Sequence, residues 1–347
     1  GILGGGQLGR MLALAAADLG LDVHVFTPES DSPASRVARK TWVAPFDDKD
    51  ALREFGASVK VATIEFENIP PDAVDLIEDE GTPVRPDGKT LATAQDRLAE
   101  KTFFREIGVE PAPFARIDNP DAIQPALDRL GGSGVLKSRF SGYDGKGQVR
   151  LQGKVQPFPA WAEVGSTFSI LEAWIEHDRE LSVVAARGAD GQFLAYDPPE
   201  NDHSGGILRR SVFPSTAPKA VLDEAVRLAK KLADELNYVG VLALELFLTK
   251  DGRLLANEFA PRVHNSGHWT QDACFTGQFE QHIRAVCGWP LGNPARHSDG
   301  EMLNLLGTDV ETWETQLGEG AKVHLYGKRR AADGRKMGHV VKLKPRG

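Results

Sequence analysis

Cysteine is scarce in this 347-residue sequence, which holds only Cys274 and Cys287. The two form neither a CxxC pair nor a disulfide framework, so no bridge is expected and a reducing compartment fits best. Excess positive charge is also missing. Lys and Arg number 41 against 49 Asp and Glu, a net charge of −8, whereas general binding to nucleic-acid phosphates needs clustered cations. An anionic substrate would therefore require a local basic pocket. No apolar run reaches the roughly 18 residues that span a bilayer, and no basic segment leading into an apolar one opens the chain. A cytoplasmic enzyme is the expectation from these absences. The sequence opens at Gly1, without Met and within a strand pattern, so a few preceding native residues are expected. Internal repeats and low-complexity segments are absent too.

What is present reads as an ordinary globular α/β composition, 41% hydrophobic and 26% charged. The length exceeds one typical domain of roughly 100 to 200 residues, which predicts two or three packed units. Ile2 and Leu3, the run GGGQLGR, a helix from about Met11 to Asp18 and the strand LDVHVF at 21–26 make a β-α-β unit and hence a parallel sheet. A helix over 48–55, a strand over 59–66 and a helix from Pro71 to near Gly81 continue it. Helical spacing over 95–108 opens a new unit. It is followed by a strand at 134–139, the glycine-rich loop SGYDGKGQ, and the short strands SILEAWI, RELSVVAARG and QFLAY of an antiparallel sheet. A helix at 218–236, a hairpin at 241–259 and a helix at 273–287 follow, and 290–347 carries the strand candidates HLYGK and GHVVKLK.

The hairpin carries the first chemical signal. Two β-patterned runs, GVLALELFLT and RLLANEFAP, flank Asp251-Gly252, the dipeptide best suited to a two-residue type I′ turn. Pairing across such a turn sets Phe247 against Ala256 and Glu245 against Glu258 on one face, with Cβ atoms about 5 Å apart. Two carboxylates that close repel unless one keeps a proton or a cation neutralises both. Magnesium suits the pair, because it takes hard oxygen ligands and shares them with substrate phosphates. The plain alternative is a solvent-facing pair of strand glutamates.

A second signal sits at the start. Gly4, Gly6 and Gly9 fit G-x-G-x-x-G between a strand and a helix, with Glu29 twenty positions beyond Gly9. Taken alone this suggests a dinucleotide site and an oxidoreductase. The same geometry offers helix N-terminal N–H groups to any phosphate.

Several segments occur in the order found in ATP-grasp ligases, which this chain resembles over nearly its whole length. They are Arg97 in QDRLAEK, Lys137 in LKSRFSGYDGKGQ, Glu172 to Ile175 in EAWI, Glu180 in DRELSV, His203, and NEFAPRVHNSGHWT. GGGQLGRM, HNSGHWT and GRKMGH narrow the likeness to the branch that carboxylates 5-aminoimidazole ribonucleotide with bicarbonate in purine biosynthesis. The resemblance implies an N-terminal parallel-sheet domain over 1–92, a two-lobed ATP-grasp domain over 93–288 (lobes about 110–175 and 176–288) and a small C-terminal β domain over 289–347. It implies ATP as co-substrate with Mg2+ on Glu245 and Glu258, and a homodimer. Arg97, Lys137, the loop residues Gly142, Tyr143, Asp144, Gly145, Lys146, Gly147 and Gln148, and Asn257 would lie on the ATP phosphates. Glu172, Ala173, Trp174 and Ile175 would pair adenine through backbone groups, and Glu180 with His203 would meet the ribose. Arg262, His264 and Asn265, joined by Tyr143 and Lys146, would bind bicarbonate or carboxyphosphate. Gly6, Gln7, Leu8, Arg335 and Lys336 would hold the ribonucleotide phosphate, while Glu67, or equally Glu65, would contact the imidazole or ribose. Many ATP-grasp enzymes place Asn two residues after the second metal glutamate, whereas this sequence has Ala260 there, which puts a third metal ligand in doubt. A formate-using ligase of the same superfamily and a non-catalytic nucleotide sensor remain open at this point.

Overall fold

The computed structural model describes residues 1–140 and 147–347. Gly142, Tyr143, Asp144, Gly145 and Lys146 lie outside the described residues. The N-terminal unit holds β1 (Ile2–Leu3), α1 (Gln7–Asp18), β2 (His24–Thr27), β3 (Lys40–Val43), α2 (Lys49–Ala57), β4 (Thr63–Ile64), α3 (Pro71–Asp79) and α4 (Gly88–Gln95). Its four strands are parallel in the order β3-β2-β1-β4. Leu3, Phe26, Phe55, Ile64 and Ile77 are wholly buried in its core, with the Phe26 and Phe55 rings edge to face at 5.5 Å. Gly4, at φ +113, turns the chain out of β1 after two residues, so α1 begins at Gln7 rather than near Met11. The same turn limits β4: with only a two-residue β1 to pair with, the strand expected over 59–66 shrinks to Thr63–Ile64.

α5 (Arg97–Glu106) follows, its first turn capped by Asp96, which accepts the Leu98 N–H at 3.0 Å. The smaller lobe contains β5 (Phe114–Ile117), α6 (Ile123–Arg129), β6 (Ser133–Ser138), β7 (Gln148–Gln152), α7 (Pro157–Glu163) and β8 (Ser169–Ala173). Its antiparallel sheet, β5-β8-β6-β7, packs Leu136, Leu151 and Leu171 against Ile123 and Leu127 of α6. The larger lobe contains β9 (His177–Arg187), β10 (Phe193–Ala195), β11 (Glu200–Ser204), β12 (Ile207–Phe213), α8 (Lys219–Glu235), β13 (Gly240–Thr249), β14 (Leu254–Ala260), α9 (Thr270–Ala273) and α10 (Gln278–Val286). Ala225, Leu228, Ala229, Leu232 and Ala233 recur at helical spacing and form the stripe that α8 lays on β9 and β13.

The C-terminal unit supplies β15 (Ser298–Leu306), α11 (Trp313–Gly318), β16 (Lys322–Leu325) and β17 (Lys336–Pro345). Its strands continue the large sheet, ordered β14-β13-β9-β11-β12-β15-β17-β16, because β15 pairs directly with the outer edge of β12. A strand edge with unpaired backbone groups invites such an addition. Thus β17 can carry Lys336 from the terminal unit to the cleft between the lobes. No helix among the described residues is long and apolar enough to cross a membrane.

Candidate active site

The β13–β14 connection is three residues long, not two: Thr249 accepts from and donates to Arg253, and Gly252 takes φ +84. The Thr249 hydroxyl accepts the Arg253 N–H at 3.0 Å and supports the wider turn. Near the turn the register therefore departs from expectation, with Phe247 facing Leu255 and Leu246 facing Ala256. A bulge between Leu244 and Leu246 restores the expected pairing beyond it, Leu244 against Phe259. Glu245 stands opposite Asn257 and Glu258 together, and all three line one cleft. Bulges commonly re-aim side chains in this way beside active sites.

Glu258 Oε2 lies 3.0 Å from Arg97 Nη1, and Glu245 Oε1 lies 3.0 Å from His264 Nε2. Desolvation in the cleft favours protonated carboxyls, but Arg97, Lys137 and Lys101 outweigh it and hold Glu258 down to about 2. For Glu245 desolvation is the largest influence, but the hydrogen bond and charge of His264, with His203, together outweigh it and the charge of Glu258, and the carboxyl stays below its usual range. The protein's own cations therefore answer the repulsion between the glutamates, in place of the retained proton or bound cation that the sequence led us to expect. Two ionised carboxylates on one cleft wall still form the hard-oxygen donor set that magnesium takes.

The facing wall is basic. Lys137 on β6 is 3.0 Å from Glu172 on β8, and fully buried Lys101 on α5 is 3.5 Å from Glu100 and 4.0 Å from Glu172. Glu100 accepts the Phe259 N–H at 2.7 Å, which ties α5 to the strand carrying Glu258. Arg97, Glu100 and Lys101 share one helix face by their i, i+3, i+4 spacing. Glu172 thus serves the lysines with its side chain, a role its place in the EAWI motif did not indicate. Ala173 and Trp174 commit their N–H groups to Pro113 and Ser133 carbonyls, at 2.7 and 3.0 Å. Ala173, Trp174 and Ile175 nevertheless border the cleft, as do Gln148 and Asn257. The Gly147 carbonyl accepts the Ser138 N–H at 2.9 Å and closes the base of the loop. Glu180 sits between two imidazoles, 2.6 Å from His203 Nδ1 and 3.2 Å from His177 Nε2. Burial would lower the His203 pKa, but Glu180 and Glu245 overcome this and raise it.

Beyond β14, Arg262 grips Glu67 with two guanidinium nitrogens, Nη2 to Oε1 at 2.8 Å and Nε to the other oxygen. Gln278 holds the next turn: its side chain accepts the His264 N–H at 2.9 Å and donates to the His264 carbonyl at 2.7 Å. The His264 ring meets the Ser266 hydroxyl at 2.8 Å. Asn265 is buried at the cleft, and neither polar atom of its side chain has a protein partner among the described residues. His268 is a satisfied core histidine, bonded to Gln278 at 2.9 Å, and burial holds its pKa far below the ordinary value.

The glycine-rich start behaves differently from expectation. Gly6 and Gly9 donate their N–H groups to Glu65, at 2.9 and 3.1 Å, so a protein carboxylate occupies the N-terminus of α1. A Cβ on Gly6 would come within 2.5 Å of that carboxylate, which explains the glycine without a nucleotide. A dinucleotide pyrophosphate would meet like charge there, and that reading loses its site. Leu8 is packed in the core, Gln7 is half-buried, and neither they nor Gly6 borders the cleft. Arg335 is exposed and donates to the Arg330 carbonyl at 3.1 Å, away from the cleft. Of the residues expected on the ribonucleotide, Glu67 and Lys336 alone line the cleft. Because Glu65 is committed to the glycines, Glu67 is the acid presented there.

Two lobes closing a cleft of about 450 Å³, with ionised glutamates on one wall and a strand lysine on the other, define an ATP-grasp ligase. Family models agree: an ATP-grasp domain matches residues 102–279, a ribonucleotide synthetase preATP-grasp domain 1–95, and a phosphoribosylaminoimidazole carboxylase C-terminal domain 301–346. The chain is 50% identical to the N5-carboxyaminoimidazole ribonucleotide synthase of Brucella melitensis, covering 100% of this chain and 96% of that one. It superposes on the N5-carboxyaminoimidazole ribonucleotide synthetase of Thermus thermophilus with a TM-score of 0.90 at 41% identity, covering 99% and 93% of the two chains. For the Aspergillus clavatus synthase in complex with ADP and 5-aminoimidazole ribonucleotide the TM-score is 0.92 at 28% identity, with 99% and 93% covered. The chain belongs to the N5-carboxyaminoimidazole ribonucleotide synthase family, ADP-forming ATP-grasp ligases of purine biosynthesis.

Proposed function

We propose that this cleft uses ATP and bicarbonate to carboxylate the exocyclic amine of 5-aminoimidazole ribonucleotide. The observation that carries the reading is the continuity of the cleft from Lys137 and Glu258 to Arg262 and Asn265, so that phosphoryl transfer and carboxyl transfer share one space. A bicarbonate oxygen attacks the γ-phosphorus and the bond to ADP breaks, leaving carboxyphosphate. The amine nitrogen then attacks the carboxyl carbon, the C–O bond to phosphate breaks, and one amine proton is lost. Such chemistry asks the protein for positioning and charge stabilisation rather than a covalent nucleophile. Magnesium held by Glu245 and Glu258 would neutralise phosphate charge. Lys137 and Arg97 place fixed cations beside the transferring group, supported by Glu172, Glu100 and Lys101. Arg262, oriented by Glu67, offers its guanidinium to the anion, while Asn265 offers one donor group and one acceptor that no described side chain satisfies. His264 orients Glu245, Tyr143 and Lys146 would act on bicarbonate as the resemblance implies, and Lys336 meets the ribonucleotide phosphate. Trp174 and Ile175 flank the adenine, and Glu180 with His203 the ribose. The homodimer implied by the resemblance belongs to the same proposal and is read by sedimentation.

An ADP-release assay tests the reading. ADP formation should require bicarbonate and rise on adding 5-aminoimidazole ribonucleotide, and Glu258→Gln should lower it about 100-fold or more. Formate supporting turnover in place of bicarbonate would contradict it.

A further inference from the structure

On the far side of the loop carrying His264 and Asn265, three metal-ligating side chains converge. His324 of β16 and His339 of β17 are directly paired across the antiparallel strands, which puts both side chains on one face. Their rings lie 4.5 Å apart and nearly parallel. Asp272 of α9 reaches in from the ATP-grasp lobe, its Oδ2 2.8 Å from His324 Nε2. One donor atom from each of the three falls within 4.8 Å of the others.

The second, independent observation is His339 itself. Its side chain is completely buried, its Nδ1 meets the Tyr326 hydroxyl at 2.8 Å, and its Nε2 has no hydrogen-bond partner among the described residues. A buried imidazole nitrogen left unpaired is costly. With Nδ1–H donating to Tyr326, Nε2 keeps a free lone pair, the arrangement in which metal-ligating histidines are held by a bond on their other nitrogen. Asp272 and His324 are only partly buried, with side chains 12% and 23% exposed, which leaves an ion a path from solvent.

We propose that Asp272, His324 and His339 form a site for a divalent transition ion, zinc by its donor chemistry, separate from the glutamate pair in the cleft. Two imidazoles and one carboxylate suit zinc, with water in the fourth position, and suit magnesium poorly. The ion would tie the terminal hairpin β16–β17 to α9, and His268 of the site loop packs its ring 4.9 Å from His339. The site is therefore structural: it fixes the back of the loop whose front lines the cleft.

The test uses the full chain, stripped with a chelator, dialysed into excess Mg2+ and titrated with Zn2+. Bound metal is counted by mass spectrometry and Tm is followed in parallel. One Zn2+ per chain with a raised Tm is expected, and binding about 100-fold weaker in H324Q and in D272N. H324Q removes a partly exposed ligand, and circular dichroism establishes that it is folded; Co2+ in the unmutated chain should show the visible bands of a four-coordinate ion. Absence of stoichiometric Zn2+ overturns the proposal. So does unchanged affinity in folded H324Q, or loss of the ion in H264Q instead, which would assign it to the cleft.

Discussion

Glu100 is fully buried where α5 meets β14, and burial, opposed by Lys101, pushes its carboxyl up to about 7 from 4.5. Between those values the folded chain holds a proton that the unfolded chain releases, so this residue's contribution is fully present below pH 4.5 and fades as pH rises to about 7. The difference corresponds to on the order of 3 kcal/mol. Glu100→Gln should flatten the fall in stability between pH 5 and pH 7.5 seen in urea unfolding; an unchanged slope would remove Glu100 as its source. Glu172 serves two lysines, so Glu172→Gln takes the carboxylate from Lys137 and leaves buried Lys101 with Glu100 as its one acidic neighbour. It should cost about 3 kcal/mol and raise the ATP concentration needed for half-maximal ADP release. Glu245 and Glu258 were legible in the hairpin pattern, and Arg97 and Lys137 only through the ordered motifs of the resemblance. Lys101, Gln278 and the hold of Glu65 on the start of α1 were not. Each acts on a partner that only the fold brings near, as Glu65 does on Gly6, 59 positions away.

At the scale of elements, the hairpin shows where pattern reading stops. Asp251-Gly252 announced a reversal, but loop length depends on the Thr249 side chain bonding across to Arg253, and the bulge at Glu245 has no local signature. Two departures from the simple register cancel, so the glutamates face one another although the turn differs. Gly252 pays for the tight turn with φ +84, and a Cβ there meets nothing within 4 Å. Gly252→Ala should therefore cost about 1 kcal/mol of stability through backbone strain alone and leave turnover intact. Gly134 differs. A Cβ there would lie 2.7 Å from the Glu172 carbonyl, prying β6 from β8 and parting Lys137 from Glu172. Gly134→Ala should lower both stability and ATP affinity, measured by thermal unfolding with and without nucleotide.

Across the whole molecule, the order of three units could be read in advance, since strand and helix periods change at each boundary. The partner of each strand could not: period-2 alternation marks β15 as a strand without saying that it extends the sheet begun by β14. That continuity joins the cleft residue Lys336 of the terminal unit to the ATP-grasp lobes, so ligand binding should stabilise the chain as a unit. At a hundred times its Kd, MgATP should add about 2.7 kcal/mol, and Glu258→Gln should abolish most of that gain. The central claim is that one cleft makes carboxyphosphate from ATP and bicarbonate before the amine is carboxylated. The direct measurement is turnover in 18O-labelled bicarbonate with mass analysis of the released phosphate. One bicarbonate-derived oxygen in each phosphate is the predicted result; phosphate free of label, with product still formed, would contradict the account.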